Sequence, residues 1–205
     1  MTTLTNSRAK RYMPTLVVPS AARRSALDLA SKRVIDIVLA TVGVIILTPL
    51  WLVVALLIRI SDRGPAFFKQ TRVGKNGQTF TMYKFRTMRV DAEQVKASLE
   101  AANRADVGAG NSVMFKMRDD PRVTRVGRVL RKTSIDELPQ LFNVIKGDMS
   151  LVGPRPPLPS EVATYEPHVM GKFSVRPGIT GLWQISGRSN LSWEETVQLL
   201  SLIHI

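Results

Sequence analysis

The apolar stretch from Ile37 to Ile58 reads IVLATVGVIILTPLWLVVALLI and holds 22 consecutive residues without a charge. A helix of that length can cross a hydrocarbon core about 30 Å thick, so a single transmembrane helix is one interpretation. Thr48-Pro49 falls at the midpoint, where proline removes a backbone hydrogen bond and kinks or breaks a helix. Basic residues flank both ends, whereas a spanning helix usually has its Lys/Arg excess on one side. These features favour a re-entrant, helix-break-helix membrane segment with its break at Thr48 and Pro49.

Three regions follow from this segment. Residues 1–31 are polar with scattered basic side chains, which predicts a disordered basic arm. Residues 32–60 form the predicted membrane-inserted helical hairpin, and residues 61–205 form the remaining domain. In that domain, Asn76-Gly77 separates two short β-like runs, a strong signal for a hairpin. The pattern predicts an α+β fold that is mainly helical, with one small β-hairpin and amphipathic surface helices.

The composition limits the chemistry. The net charge of +13 indicates anionic partners such as nucleotide phosphates, an anionic leaflet or nucleic acid. The chain has no cysteine and only two histidines, His168 and His204, which lie far apart. A thiolate nucleophile is therefore excluded, and a Ser-His-Asp triad is disfavoured. A metal ion would need oxygen ligands, which points to Mg²⁺ or Mn²⁺.

The adjacent acids Asp136 and Glu137 are the first candidate site. Ser134 and Glu137 match the Ser-x-x-Glu pattern of a capping box, so one interpretation is that they only begin a helix. The other interpretation makes one carboxylate a nucleophile toward phosphorus and the pair a Mg²⁺ site. Local sequence alone leaves both open.

Basic residues that could neutralise a diphosphate surround that pair in the sequence. Any single one of them could instead belong to a solvated basic face. Arg155 stands between Pro154 and Pro156, which restrict the backbone and so suit a rigid phosphate-binding arginine. The candidates for binding phosphate or substrate are Lys84, Arg131, Arg155 and Arg188.

Six runs, taken together and in order, resemble the bacterial sugar transferase family, the monotopic phosphoglycosyl transferases. The resemblance covers about residues 31 to 195. The runs are Lys32–Asp36, Tyr83–Met88, Asp119–Thr124, Leu130–Leu141, Lys146–Pro156 and Arg176–Gly181.

The resemblance implies a covalent mechanism. Asp136 matches the family nucleophile, which attacks the β-phosphate of a UDP-sugar, releases UMP and holds the phospho-sugar until undecaprenyl phosphate takes it. Glu137 matches the partner acid, which assists with Mg²⁺ and proton handling. Lys84, Arg131 and Arg155 match phosphate-binding cations.

The resemblance also implies a location and partners. It predicts a re-entrant segment and a catalytic domain on the cytoplasmic face of the bacterial inner membrane, at the first membrane step of exopolysaccharide or lipopolysaccharide assembly. The expected partners are membrane lipid and other glycan-assembly enzymes, and no nucleic acid.

The C-terminal segment Thr196–Ile205 departs from the family pattern, which usually continues with an acidic and aromatic stretch and another amphipathic helix. We expect a truncated C-terminus. This departure leads to a second hypothesis, in which the protein is an inactive paralogue that serves as a membrane scaffold for glycan assembly. A third hypothesis, a membrane-tethered nucleic-acid-binding protein, lacks a reading helix or an aromatic platform in the sequence.

Overall fold

The computed structural model describes residues 25–92, 95, 120–163, 165 and 167–181. Within them a long helix precedes a mixed domain of short helices and two small sheets, as the α+β prediction requires. The helices are α1 (Ala26–Asp62), α2 (Arg125–Thr133), α3 (Leu141–Lys146) and α4 (Pro159–Val162). The strands are β1 (Phe67–Val73), β2 (Thr79–Phe85), β3 (Ser150–Val152) and β4 (Gly178–Thr180). Short 3₁₀ segments occupy Lys75–Gly77, Ile135–Gln140 and Pro167–Ser174. Of the predicted disordered arm, 1–31, residues 1–24 lie outside the described residues, and residues 26–31 form the first turns of α1 rather than part of an arm. The tail beyond residue 181 also lies outside the described residues.

Helix α1 has one buried stripe and a broad apolar outer surface. At about 1.5 Å per residue its 37 residues extend roughly 55 Å. The buried side chains recur along the helix at Asp36, Ala40, Trp51, Val54 and Ile58. Most of its other large apolar side chains are exposed. Among the described residues, α1 is the one helix long and apolar enough to cross a membrane.

The predicted interruption at Thr48 and Pro49 is not seen in the helix, which continues through both residues. Pro49 lacks the N–H that would bond the carbonyl four residues earlier. That carbonyl belongs to Ile45, whereas the Thr48 hydroxyl donates to the carbonyl oxygen of Val44, 2.7 Å away. Buried residues lie on both sides of the proline, at Ala40 and Trp51, and pack into one core. This packing stabilises both halves and outweighs the one missing hydrogen bond.

The predicted hairpin is confirmed. Strands β1 and β2 pair antiparallel, from Phe67 opposite Phe85 to Val73 opposite Thr79. Asn76 and Gly77 adopt positive φ values of 56° and 73° in the connecting turn, the backbone region in which Asn and Gly cost least.

The apolar spacing over 134–145 predicts a helix in spite of Pro139, but two elements occupy this range. A 3₁₀ segment, Ile135–Gln140, comes first, and α3 follows at Leu141. Ser134 takes a left-handed conformation with φ 59°, so the chain turns sharply between α2 and the 3₁₀ segment. Pro139 lies inside the tighter segment, where it has no N–H to give to an α-helical hydrogen bond.

The core forms where α1 meets the hairpin and α3. Trp51 packs edge-on against Phe85 and Phe142, with ring centroids 6.2 and 5.2 Å away. A second sheet pairs β3 with β4 in parallel, with Ser150 opposite Gly178. Because β3 leads directly into the Gly153-Pro154-Arg155 loop, this sheet fixes where that loop leaves the core.

Candidate active site

Asp136 lies in the 3₁₀ segment between α2 and α3 and is 8% exposed. Its neighbour Glu137 points toward β2, where Lys84 Nζ donates to Glu137 Oε1 at 2.7 Å. The capping-box interpretation is wrong, because the Ser134 side chain does not cap this segment. The sharp turn at Ser134 therefore presents the two acids in different surroundings, one enclosed and one paired with a lysine.

The surroundings of Asp136 perturb its ionisation. Burial raises the pKa of the Asp136 carboxyl above its usual value; Lys84 opposes this rise, Glu137 adds to it by like-charge repulsion, and Arg131 opposes it. A buried acid with a perturbed pKa, facing specific charges, is a candidate functional group. Asp136 is the acid in this turn that has lost most of its water while remaining close to cations.

Arg131 reaches this turn from the last turn of α2. Its Nε donates to the hydroxyl of Thr87, 2.9 Å away, which fixes the guanidinium at the end of β2. Burial lowers the pKa of Arg131, whereas the carboxylates of Asp136 and Asp120 raise it. Arg131 thus lies between two acids, and Asp120 is itself bound to the buried Arg122 at 2.6 Å.

The close approach of α2 to the segment that follows β2 depends on Gly127. A Cβ atom at this position would lie 2.0 Å from the backbone carbonyl oxygen of Thr87. That same oxygen accepts a hydrogen bond from the backbone N–H of Thr124 at 3.0 Å. The absence of a side chain at position 127 therefore lets α2 sit close enough for Arg131 to reach Thr87.

Asn143 fixes α3 against the same hairpin. Its fully buried amide donates to the carbonyl oxygen of Thr81 at 2.7 Å and accepts from the N–H of Tyr83 at 3.1 Å. These two bonds occupy backbone groups of β2 beside Lys84 and hold the strand in register with the helix that follows Asp136.

Arg155 lies in a neighbouring cluster. Its guanidinium donates to both carboxylate oxygens of Glu161, at 3.0 and 3.3 Å. Glu161 also accepts from the backbone N–H of Leu158 at 2.8 Å. Arg72 lies behind this pair and donates to the carbonyl oxygen of Pro156 at 3.1 Å. The predicted phosphate-binding arginine is thus held rigidly by an acid.

Lys172 completes the cluster around Glu161 and is 5% exposed. Its Nζ lies 3.4 Å from the Tyr165 hydroxyl and 5.7 Å from the centre of the Phe173 ring. The pKa of Lys172 is lowered to about 7, mainly by burial and also by Arg155, while Glu161 acts in the opposite direction. A cation in this position is held at an electrostatic cost.

The low pKa of Lys172 makes stability depend on pH. Between pH 7 and 10.5 the Lys172 amine is protonated in the unfolded chain and neutral in the folded chain, so the free energy of unfolding rises with pH. Below pH 7 the amine is protonated in both states.

Relative to Lys172→Met, the free energy of unfolding of the wild type should rise by about 2 kcal/mol between pH 7 and pH 9. Thermal unfolding of both variants in detergent at the two pH values measures this, with exposed Lys69→Met as the control. Parallel shifts of Tm in wild type and Lys172→Met would contradict it.

The structure brings four of the predicted site residues together, namely Asp136, Glu137, Lys84 and Arg131. Arg155 belongs to the Glu161 cluster. This cluster is connected to the first group electrostatically, because the charges of both Glu161 and Glu137 raise the pKa of Arg72. Arg188 lies outside the described residues. Sequence reasoning missed the supporting residues Thr87, Asn143, Glu161 and Arg72. Thr87, Asn143 and Arg72 have partners that are distant in the chain. The partners of Glu161 are only three and six positions away, at Leu158 and Arg155.

The donor set suits one kind of metal ion. The described residues contain no group of three or more His, Cys, Asp or Glu side chains that could hold a metal unaided. Mg²⁺ is commonly held by one or two carboxylates together with substrate phosphates. Asp136 and Glu137 supply two adjacent carboxylates, and the buried Asp136 is the side chain that a cation would stabilise most. The pair therefore fits Mg²⁺ that arrives with a diphosphate.

An acidic pair with lysine and arginine beside it, on a domain packed along an apolar helix, agrees with the family that the sequence motifs resemble. The chain matches the bacterial sugar transferase family over residues 27–202 and belongs to that family.

Curated relatives carry names of the same kind. The chain is 51% identical over 172 residues to "Galactosyl transferase CpsE" of Streptococcus agalactiae, covering 83% of this chain and 37% of the relative. It is 46% identical over 167 residues to "Exopolysaccharide production protein ExoY" of Sinorhizobium fredii, covering 82% and 74%. It is 44% identical over 180 residues to "UDP-glucose:undecaprenyl-phosphate glucose-1-phosphate transferase" of Caulobacter vibrioides, covering 86% and 60%. The chain thus spans less than two thirds of the length of two of these three relatives.

Proposed function

We propose that this protein transfers a sugar 1-phosphate from a UDP-sugar to undecaprenyl phosphate, and that Asp136 is the nucleophile. The observation that carries the proposal is the placement of Asp136: a buried carboxylate flanked by Lys84, Glu137 and Arg131, on a domain packed along an apolar helix with an exposed outer face. The names of the relatives support the substrate class.

In the first half-reaction, a carboxylate oxygen of Asp136 attacks the β-phosphorus of the UDP-sugar. The bond between that phosphorus and the oxygen bridging the two phosphates breaks, and UMP leaves with the bridging oxygen. The sugar phosphate is then esterified to Asp136. Arg131 and Lys84 neutralise the charge that develops on the phosphoryl oxygens and the leaving phosphate.

In the second half-reaction, an oxygen of undecaprenyl phosphate attacks the same phosphorus. The bond to Asp136 breaks, which frees the carboxylate and leaves a lipid diphosphate sugar. We infer that Glu137 and Asp136 hold Mg²⁺, which when bound neutralises the diphosphate. Glu137 also holds Lys84 beside the reacting phosphoryl group. The two rigid arginines, Arg155 and Arg131, restrict how the phosphates can lie.

Purified protein, Mg²⁺, undecaprenyl phosphate and a panel of UDP-sugars test this assignment. We expect UMP as the released nucleotide, because the bond that breaks lies between the two phosphates. We expect EDTA to stop the release. Release of UDP instead would indicate ordinary glycosyl transfer and would contradict the proposal.

We also propose that α1 bends at Thr48 and Pro49 while remaining helical, so that it enters and leaves one leaflet, and that the domain lies on the cytoplasmic face of the inner membrane. The buried stripe of α1 runs from Asp36 to Ile58, about 33 Å at 1.5 Å per residue, and packs along the same domain. A helix that spanned the bilayer in this arrangement would draw charged side chains of the domain into hydrocarbon, which is costly. A helix confined to one leaflet avoids that cost.

Tags placed at residue 5 and at the exposed hairpin turn, residue 75, test the topology in intact and permeabilised bacterial cells. Both tags should become accessible only after permeabilisation, because both ends of a re-entrant segment face the cytoplasm. Labelling of the two tags from opposite sides would establish a spanning helix. In the cell, the other glycan-assembly enzymes are the expected partners that consume the lipid-linked product.

A further inference from the structure

The amino-terminal half of α1 carries charged side chains that bind the domain rather than lipid or solvent. The guanidinium of Arg33 donates to the carbonyl oxygen of Val144 at 2.8 Å and to that of Ile145 at 3.1 Å. These carbonyls belong to the last turn of α3, where helical carbonyls have no partner within the helix. Arg33 therefore ties α1 to the carboxyl end of α3.

Asp36 ties α1 to β3. It is 5% exposed, and Oδ2 accepts from the Ser150 hydroxyl at 2.8 Å while Oδ1 accepts from the Leu151 N–H at 3.2 Å. Lys32, one turn earlier on α1, donates to Asp36 Oδ2 at 3.0 Å and also to the Ser150 hydroxyl. The carboxylate thus has its charge paired and both oxygens bonded.

Both tied elements lead directly to the candidate active site. Helix α3 follows the 3₁₀ segment that carries Asp136, and β3 runs into the loop that carries Arg155. These five contacts therefore join the membrane helix to the two parts of the chain that supply the nucleophile and the second cluster.

These polar contacts do something that the apolar stripe cannot do. Apolar contacts such as those of Ala40 and Val54 are non-directional, so a small rotation or slide of α1 would retain much of their burial. A buried carboxylate with fixed donors loses hydrogen bonds under the same movement, and an unsatisfied buried charge is costly. Asp36 and Arg33 consequently fix the depth and the rotation of α1 relative to the domain.

We propose that Asp36, assisted by Arg33 and Lys32, is a positioning residue that sets the height of the Asp136 site relative to the bilayer and so governs transfer to the lipid acceptor. This inference rests on the proposed function. The nucleotide sugar arrives from solution, so the first half-reaction does not depend on that height. The phosphate of undecaprenyl phosphate is tethered to the membrane, and the second half-reaction does depend on it.

The test compares wild type, Asp36→Ala and Ser150→Ala in nanodiscs of fixed lipid composition. One assay measures the UMP burst without acceptor, a second measures turnover with undecaprenyl phosphate, and a third measures turnover with a water-soluble short-chain prenyl phosphate. Asp28→Ala removes an exposed acid from the first turn of the same helix and serves as the matched control.

For Asp36→Ala we expect a burst within about threefold of wild type, and a fall of about a hundredfold in turnover with undecaprenyl phosphate, the effect of a misplacement of about 1 Å. The short-chain acceptor should lose far less, because it is free to reach the site. Ser150→Ala should show the same pattern more weakly. The double variant, which combines Asp36→Ala with Ser150→Ala, should resemble Asp36→Ala alone, since each change removes the same contact between Asp36 and Ser150.

An equal loss in all three assays would show a merely structural role and would overturn the inference, as would unchanged turnover with undecaprenyl phosphate. If Asp36→Ala does not fold, Ser150→Ala alone decides by the same comparison. Absence of any UMP burst from wild type would instead contradict the proposed function. The two failures are therefore distinguishable.

Discussion

Replacement of Asp136 by Asn should lower UMP release by at least about a thousandfold, because the amide cannot form the phospho-sugar ester and the remaining groups only bind and polarise the substrate. Asparagine nearly preserves the volume of the side chain, so the fold and the binding of UDP-sugar should be retained. The measurement is single-turnover UMP release together with the affinity for UDP-sugar.

Asp91→Asn is the matched control, since this half-exposed acid pairs with Arg89, two positions earlier, at 3.2 Å. It should leave UMP release unchanged. Full activity of Asp136→Asn would exclude Asp136 as the nucleophile. Absence of activity from the wild type as well, in a chain that still binds membranes, would favour the scaffold hypothesis.

Gly127→Ala should destabilise the domain by about 3 kcal/mol, because the new methyl group meets the backbone carbonyl of Thr87, which is held by a hydrogen bond from the Thr124 N–H. The approach of Cβ to the Thr87 oxygen, 2.0 Å, is too short for relief by a side-chain rotation. Helix α2 must move away, and Arg131 then loses its hydrogen bond to Thr87. We expect a fall in Tm of roughly 6–12 °C and a loss of turnover in the folded fraction.

Gly43→Ala provides the comparison. A Cβ atom there would lie 3.2 Å from the terminal Cδ1 of Leu141, which can rotate away, and alanine is a better helix former than glycine. This variant should keep its Tm within about 2 °C of wild type. Equal tolerance of both alanine variants would show that α2 does not depend on close approach at position 127.

The local features of the fold were predictable from the sequence. Asn76-Gly77 predicts the hairpin because each residue tolerates the backbone angles that the turn needs, and the family resemblance rests on runs of adjacent residues. The prediction of a broken helix at Thr48-Pro49 relied on local propensity alone. Packing of α1 on both sides of Pro49 outweighs that propensity, and this packing involves residues about a hundred positions away.

The hydrogen bonds that hold the candidate site in place were not predictable, because they too join residues that are far apart in the chain. The contacts from Arg131 to Thr87, from Asn143 to β2 and from Asp36 to Ser150 join positions that are 44, about 60 and 114 apart in the chain. No periodicity or turn signal specifies such pairs. Glu161 differs, since its partners Leu158 and Arg155 are only three and six positions away. In the sequence it is one acid in a proline-rich segment, and no motif there indicates that it binds Arg155.

The most direct test of the phospho-sugar ester on Asp136 is to mix the protein with UDP-sugar labelled at the β-phosphorus, without lipid acceptor, and to stop the reaction with acid after a few milliseconds. The mass of the protein and the position of the label are then measured. We expect one phospho-sugar per protein, with the label in the peptide that contains Asp136, and loss of that label when undecaprenyl phosphate is added before the quench. Direct passage of the label from UDP-sugar to lipid, with the protein never carrying it, would contradict a covalent intermediate.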